Sequence, residues 1–498
     1  MALGNRKDAA ILLPGAAGAV GLGVLTADLP IVGGGLFGFG LLLVLPWVAL
    51  FFLLNLFSMI QSVGYGPLSG IQVGGFRVSP AHLILIPLLI RVYLNTRQGV
   101  RSKWGGAEWF LIVYAIIQPV ITLHHAPNPK ASLGALGLVA LGVLVYLTVY
   151  AGVCTPRRVL AAVKIFLWLI LFNASFGLLA LMAHLAIGTH IGVSQRSAYG
   201  SGVFGLSFEH DIFASTCAVG AIAFYVLWRE RNTLFSSRFS GIATCICGVA
   251  MLTGLARGAW VGFGLAFIAL MLFPRARTRR VRGVERAGFL LILVSLLLLG
   301  GAYAVTTSAS VGSAFSAVQQ KAVNLVNVTS GSGRSRIGET QQALTDWKTS
   351  KLFGLGTGSY NQRHPLPNST NYIGDIYLRA LYETGLFGLL LYLGFFALLF
   401  WPNRWLLFST NELAPLARAM TFGGAVILIA YAATDATLQV WPWVLFGLIR
   451  ATRFVAERQA REELDAARMV EPVPALVSPA VGIGNGWAAP RREVHPRI

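Results

Sequence analysis

Residues 159–187 read VLAAVKIFLWLILFNASFGLLALMAHLAI. At about 1.5 Å of rise per residue, such a helix is long enough to cross roughly 30 Å of hydrocarbon. Its charged residue, Lys164, stands near the start, where a long side chain reaches back to the boundary. Arg157 and Arg158 precede the run and mark that end as the cytoplasmic one. Comparable runs recur along the chain, near residues 9–27, 31–57, 79–95, 107–124 and 132–153, and then near 211–228, 239–255, 258–274, 287–306, 376–400, 418–434 and 437–452. The fold class is therefore all-α, a polytopic transmembrane helix bundle of 12–13 spans.

Composition agrees. Of 498 residues 55% are hydrophobic and only 12% charged, where a soluble domain carries about a quarter charged. An ordinary cytosolic enzyme is excluded. The formal net charge of +20 would suggest nucleic acid in a soluble chain. Here most of the excess sits in short loops between spans, so no nucleic-acid partner is expected. The four cysteines, Cys154, Cys217, Cys245 and Cys247, read as packing residues, since Cys245 and Cys247 face different directions on a helix. The first apolar run lacks a clear cleavage site and is not read as a signal peptide.

Loop charge fixes the sides. Arg97, Arg101 and Lys103, then Arg157 and Arg158, then Arg229, Arg231 and Arg238, then the run PRARTRRVRGVER with Arg275 to Arg286 fall on one side, alternating with poorly basic connections. Thirteen spans with a cytoplasmic C-terminus put the N-terminus outside, whereas Arg6 and Lys7 argue for inside; either the first segment does not cross fully or the long Pro46-containing run is misread as one span. On the outer side residues 58–78, 188–210 and 307–375 exceed a tight turn, and loops of that last length usually have a functional reason. Within it GETQQALTDWKTS has helical spacing, with Ile337, Leu344, Trp347 and Leu352 able to share one face of an amphipathic helix. The expected organisation is an N-terminal bundle (1–306), a long outer loop (307–375), C-terminal transmembrane helices (376–452) and a cytoplasmic tail (453–498), a short helix and then disorder.

The span interiors hold almost no charge, which argues against a carrier or pump. The outward-facing charges carry more information. Arg196 lies in RSAYGSGVFGLSFEHDIFAS, where Glu209, His210 and Asp211 crowd the mouth of a span. Arg257 lies in the tight turn LTGLARGAWVGF, and Arg334 and Arg336 open the amphipathic helix. Arginines near hydrocarbon need partners or water. They either converge on an anionic group, which the guanidinium fork suits, or anchor span ends against headgroups. No HExxH, Cys/His metal spacing, nucleophile elbow, P-loop or Asp-x-Asp pair occurs.

These stretches resemble the O-antigen ligase and Wzy-type polysaccharide polymerase superfamily. LTGLARGAWVGF is similar to its "T-x-S-R-g" turn, with Arg257 in the arginine place. RSRIGETQQALTDWKTSKLFGLGTGSY is similar to its "R-x-x-x-w-x-x-A-L … P-x-x-G-x-G" segment, with Arg336 in register. IYLRALYETGLFGLLLYL is similar to "y-L-x-x-L-x-E-x-G-l-x-G", and FRVSPAHLILIPLLIRVYL to an early span. The resemblance implies a GT-C-like, inverting glycosyltransferase in the bacterial cytoplasmic membrane, its active site facing outward, with no metal or cofactor. Its partners would be an undecaprenyl-pyrophosphate-linked glycan donor, a glycan or lipid acceptor and membrane lipids. Arg196, Arg257, Arg334 and Arg336 would hold the pyrophosphate while a base deprotonates the acceptor hydroxyl. Two places depart from the pattern: the family's His-Asn reads Gly374-Asp375 here, and the serine before the turn arginine is Ala256. The base is then Asp375 or His364, with His210, Glu383 and Arg379 in support. Asp375 also suits a helix N-cap, and Arg379 and Glu383, four apart, suit an ion pair on one helix face. A flippase of lipid-linked saccharides and a peptidoglycan polymerase of the shape, elongation and division type are the alternative functions.

Overall fold

A computed structural model describes residues 42–43, 45–60, 71–73, 76–78, 80–97, 104–197, 200–207, 209–272, 332–366, 372–409, 411–434 and 439–470. The spans expected near 9–27 and 287–306 and the Arg275–Arg286 loop lie outside these residues. Helices dominate: α1 (Trp47–Met59), α2 (Pro80–Arg97), α3 (Gly106–His125), α4 (Leu133–Gly152), α5 (Pro156–Ile187), α6 (His210–Arg229), α7 (Ser237–Thr253) and α8 (Arg257–Leu272), followed by α9 (Ser332–Trp347), α10 (Ser359–Arg363), α11 (Ile376–Phe400), α12 (Arg404–Phe408), α13 (Ala414–Ala430) and α14 (Val440–Val470). Two short antiparallel hairpins accompany them, β1 (Ile71–Val73) with β2 (Phe76–Val78), and β3 (Val193–Ser197) with β4 (Gly200–Val203). The chain divides at Ala456/Glu457, within α14; in the smaller unit Arg458 and Glu462 pair one helical turn apart.

Among the described residues five helices are long and apolar enough to span a membrane and five more are shorter and apolar. Burial ranks them. The spanning window of α6 is 89% buried, whereas the other four are 39–50% buried, so α6 is the centre and the others show one side outward. The sequence explains it: α6 runs ASTCAVGAIA, small residues that let neighbouring helices approach. Helices α3, α8 and α11 expose Leu123, Ile116, Leu390 and Ile268, the apolar belt of a protein that lies in lipid. The run 31–57 is interrupted at Pro46, which lacks the amide a continuing helix needs and stands as N-cap of α1.

The basic end of the bundle is closed by arginines. Arg229 donates to the carbonyl of Leu270 (2.8 Å), and Arg158 to that of Gly152 (3.1 Å). Arg418 reaches Glu230 and the carbonyls of Leu406, Leu407 and Ser409. Each satisfies C-terminal carbonyls that a helix leaves without partners. Arg450 of α14 bonds Glu108 of α3 at 2.8 Å, and Glu108 also accepts from Tyr146 (2.9 Å) and the Gly105 amide (2.6 Å). This buried pair was not legible as a pair, because its members stand 342 positions apart.

Candidate active site

The opposite end of the bundle gathers residues from five places in the chain. The start of α6 supplies Glu209, His210 and Asp211; α9 supplies Arg336; the re-entry before α11 supplies Tyr372 and Gly374; and Thr434 follows α13. Arg336 Nη2 lies 3.4 Å from Asp211 Oδ2, an oxygen that also accepts from Thr434 at 3.0 Å. His210 Nε2 lies 3.4 Å from Asp211 Oδ1, and Tyr372 donates to Glu209 Oε1 at 2.9 Å.

The turn carrying Arg257, the fifth contributor, joins them. Leu255 adopts a φ of 52°, sparsely populated for a side chain this large, and reverses the chain between α7 and α8. A Cβ on Gly254 would stand 3.0 Å from the His210 carbonyl oxygen, so this turn lies on the first turn of α6. A Cβ on Gly258 would stand 3.2 Å from that of Ala433, and one on Gly374 would stand 3.8 Å from the Ala433 carbonyl and 3.5 Å from Arg336 Nη1. The turn carrying Arg257 and the Arg336 guanidinium thus both lie beside one backbone turn, residues 430–434.

The two acids at the mouth of α6 differ in surroundings. Asp211 has a guanidinium, a hydroxyl and an imidazole beside it. Burial raises the carboxyl of Glu209 above the usual range, opposed by the Tyr372 hydrogen bond and by the charges of His210 and Arg336. Burial also raises Glu339 on α9, with Arg336 opposing.

Glu383 and Arg379 belong to a different structure. Arg379 Nε lies 3.2 Å from Glu383 Oε1, the pair expected from their spacing, and the same oxygen accepts from the Gly358 amide at 2.9 Å. Beyond Glu383 the helix breaks at Gly385, whose φ of 66° and ψ of −168° suit glycine alone. The break frees two carbonyls and two amides, and residues 351–356 complete them. Leu355 and Gly356 donate to the carbonyls of Tyr382 and Glu383 (2.8 and 2.9 Å); Leu386 and Phe387 donate to those of Lys351 and Leu352 (3.0 and 3.2 Å). Irregular backbone at the edge of a bundle is tolerable when protein satisfies it this way. The LFGLGTG and ETGLFG stretches are therefore two halves of one joint, and Glu383 is its clasp.

His364 and Asp375 are both engaged. His364 Nε2 lies 2.6 Å from Asp346 Oδ2, which also accepts from Tyr382 at 3.1 Å. Its Nδ1 lies 2.7 Å from Gln342 Nε2, the amide whose oxygen accepts from Tyr360. Asp346 was missed, since a single acid on a surface helix carries no signal without its partner. Asp375 caps α11, its Oδ1 accepting from the amides of Tyr377 (2.7 Å) and Leu378 (3.0 Å). Arg196 is placed in β3 and Arg334 in the first turn of α9 by backbone only; their side chains lie outside the described residues. The expected amphipathic face needs correcting. α9 ends at Trp347, whose indole donates to the Lys351 carbonyl, so Leu352 falls in the following turn and is exposed, as is Ile337. Among the described side chains of α9 Ala343 is fully buried, and it packs with Leu355, Tyr360, Ile373 and Tyr382.

Residues 242–393 match the O-antigen ligase family, a segment that runs from α7 through Arg257, α9 and the joint into α11. No curated protein matches the chain. The molecule is a multi-pass membrane protein with an O-antigen ligase domain, and the superfamily read from its motifs is the one that the match supports. That domain assigns it a part in cell-surface polysaccharide biosynthesis as a glycosyltransferase-like enzyme.

Proposed function

We propose that the chain polymerises or transfers an undecaprenyl-pyrophosphate-linked glycan at the outer face of the bacterial cytoplasmic membrane, with inversion at the anomeric carbon. The observation that carries this reading is that the turn carrying Arg257 and the Arg336 guanidinium both lie beside the turn at 430–434, at the end of the bundle opposite its basic, helix-closing arginines. Planar guanidinium forks there suit the oxygens of a pyrophosphate. Neutralising that charge makes the lipid pyrophosphate a good leaving group, the main electrostatic task of the reaction. Arg196 and Arg334, in segments that border the same end, are assigned to the donor as well. The acceptor hydroxyl attacks C1 of the donor sugar, the C1–O bond to phosphate breaks, and the electron pair leaves on the pyrophosphate.

Deletion of the gene should accumulate a lipid-linked glycan in the outer leaflet. Complementation by Arg336→Gln or Arg257→Ala should restore polymer poorly, at normal protein levels. One charge-assisted hydrogen bond is worth about 1.5–3 kcal/mol, so each loss should slow turnover by roughly 10–100-fold, and Lys should rescue only in part. Normal polymer from both variants refutes the site. Accumulation in the inner leaflet refutes the transferase and favours a flippase.

A further inference from the structure

The structure carries one assignment further, resting on the transferase reading above: we propose that Glu209 is the proton acceptor of the reaction and that Asp211 is the fixed charge holding Arg336 beside it. The argument begins from two acids at two helix starts. Asp375, at the N-cap of α11, gives its carboxylate to the amides of Tyr377 and Leu378. Glu209 occupies the N-cap of α6, yet its side chain makes no capping bond. It turns instead to Tyr372, in the re-entry segment three residues before Asp375. Glutamate is not among the residues that favour an N-cap, and its longer side chain crosses to the re-entry segment.

The groups facing Glu209 are Tyr372 from the re-entry segment, Arg336 from α9, and His210 and Asp211 from its own helix. Asp211 is fixed by Arg336, Thr434 and His210. Glu209 receives a hydrogen bond from Tyr372, and burial moves its carboxyl toward neutral pH. The Asp211 carboxylate is thus committed to the side chains that hold it and Arg336 in place, whereas Glu209 meets the re-entry segment. His364 and Asp375 are less suited, since Gln342 and Asp346 occupy the two ring nitrogens of the first and helix amides hold the second.

In the step itself the acceptor oxygen bonds to C1, the C1–O(phosphate) bond breaks, and the hydroxyl proton passes to a Glu209 carboxylate oxygen. The resulting acid returns that proton to water before the next turnover.

The test uses the full chain in lipid nanodiscs with the lipid-linked glycan isolated from the deletion strain. Glu209→Gln keeps the shape and can still accept from Tyr372 but cannot take the proton. Its kcat should fall by about 100-fold or more, with KM for the donor changed by no more than roughly two- to three-fold. Wild-type kcat/KM should fall on the acid side as Glu209 protonates. Tyr372→Phe removes a hydrogen bond that favours the carboxylate, so it should move that acid limb to higher pH. A merely structural role would not move the limb. Glu209→Gln with near wild-type kcat overturns the assignment, and so does a Tyr372→Phe limb that stays where the wild type has it. If Glu209→Gln does not fold, the Tyr372→Phe limb decides alone. A wild-type protein that transfers no sugar overturns the transferase reading itself, whereas an active wild type with an unimpaired Glu209→Gln overturns this assignment only.

Discussion

Replacing Gly385 by alanine tests the joint between residues 351–356 and α11. The backbone there has a φ of 66° and a ψ of −168°, a region that costs a side-chain-bearing residue about 1–3 kcal/mol. The added Cβ would stand 2.3 Å from the Leu352 carbonyl oxygen, 2.4 Å from its carbon and 2.5 Å from the Phe353 nitrogen, all backbone atoms that have no rotamer to change. The loop has to move away, and with it the hydrogen bonds of Leu355, Gly356, Leu386 and Phe387 across the break. Two of them, at about 0.5–1.5 kcal/mol each, bring the sum to about 2–6 kcal/mol. Gly354→Ala should resemble it, because its Cβ would lie 2.4 Å from the Gly385 amide nitrogen. The double variant should then cost less than the sum of the two, as one joint breaks only once. The assay is the thermal midpoint of the detergent-purified protein followed by tryptophan fluorescence, with Gly264→Ala as control. Gly264 lies in α8 with no atom within 4 Å of its would-be Cβ, so alanine there should be neutral or slightly stabilising. A Gly385→Ala midpoint equal to the control's would refute the joint as described.

Asp375→Asn should retain activity within about two-fold, since Asn caps nearly as well, while Asp375→Ala should lose about 1 kcal/mol of stability; a collapse of turnover in the Asn variant would return the base to Asp375. Arg450→Ala leaves Glu108 buried without its ion-pair partner and should cost about 3–5 kcal/mol, read as loss of monodisperse protein on extraction, and the double change Glu108→Gln with Arg450→Leu should recover part of it. In a cysteine-free background, Gln341→Cys should react with a membrane-impermeant maleimide in intact cells and Arg231→Cys only after permeabilisation; the reverse pattern would invert the topology.

The sequence by itself determined that the chain is a bundle of membrane-crossing helices. Hydropathy is a property of consecutive residues, and crossing a bilayer leaves a backbone no choice but to satisfy its own polar groups. Local chemistry was equally readable where cause and effect lie within one turn. The Asp375 cap and the Arg379–Glu383 pair both follow from spacings of two to four residues.

What only the tertiary structure decided were relations between distant segments. Which acid meets Arg336 depends on how α6 and α9 pack, and no period in the sequence encodes that Asp211 would be the one. The same holds for Asp346 against His364 and Glu108 against Arg450, where each residue alone reads as an ordinary surface or boundary charge. The glycines of the LFGLGTG and ETGLFG stretches were visible as turn formers. Their shared purpose, a helix break completed by a loop, exists only once the two backbones touch. Hydropathy and capping act through the chain's own neighbours, whereas a site is made of side chains that the bundle brings together, and their pairing is set by packing.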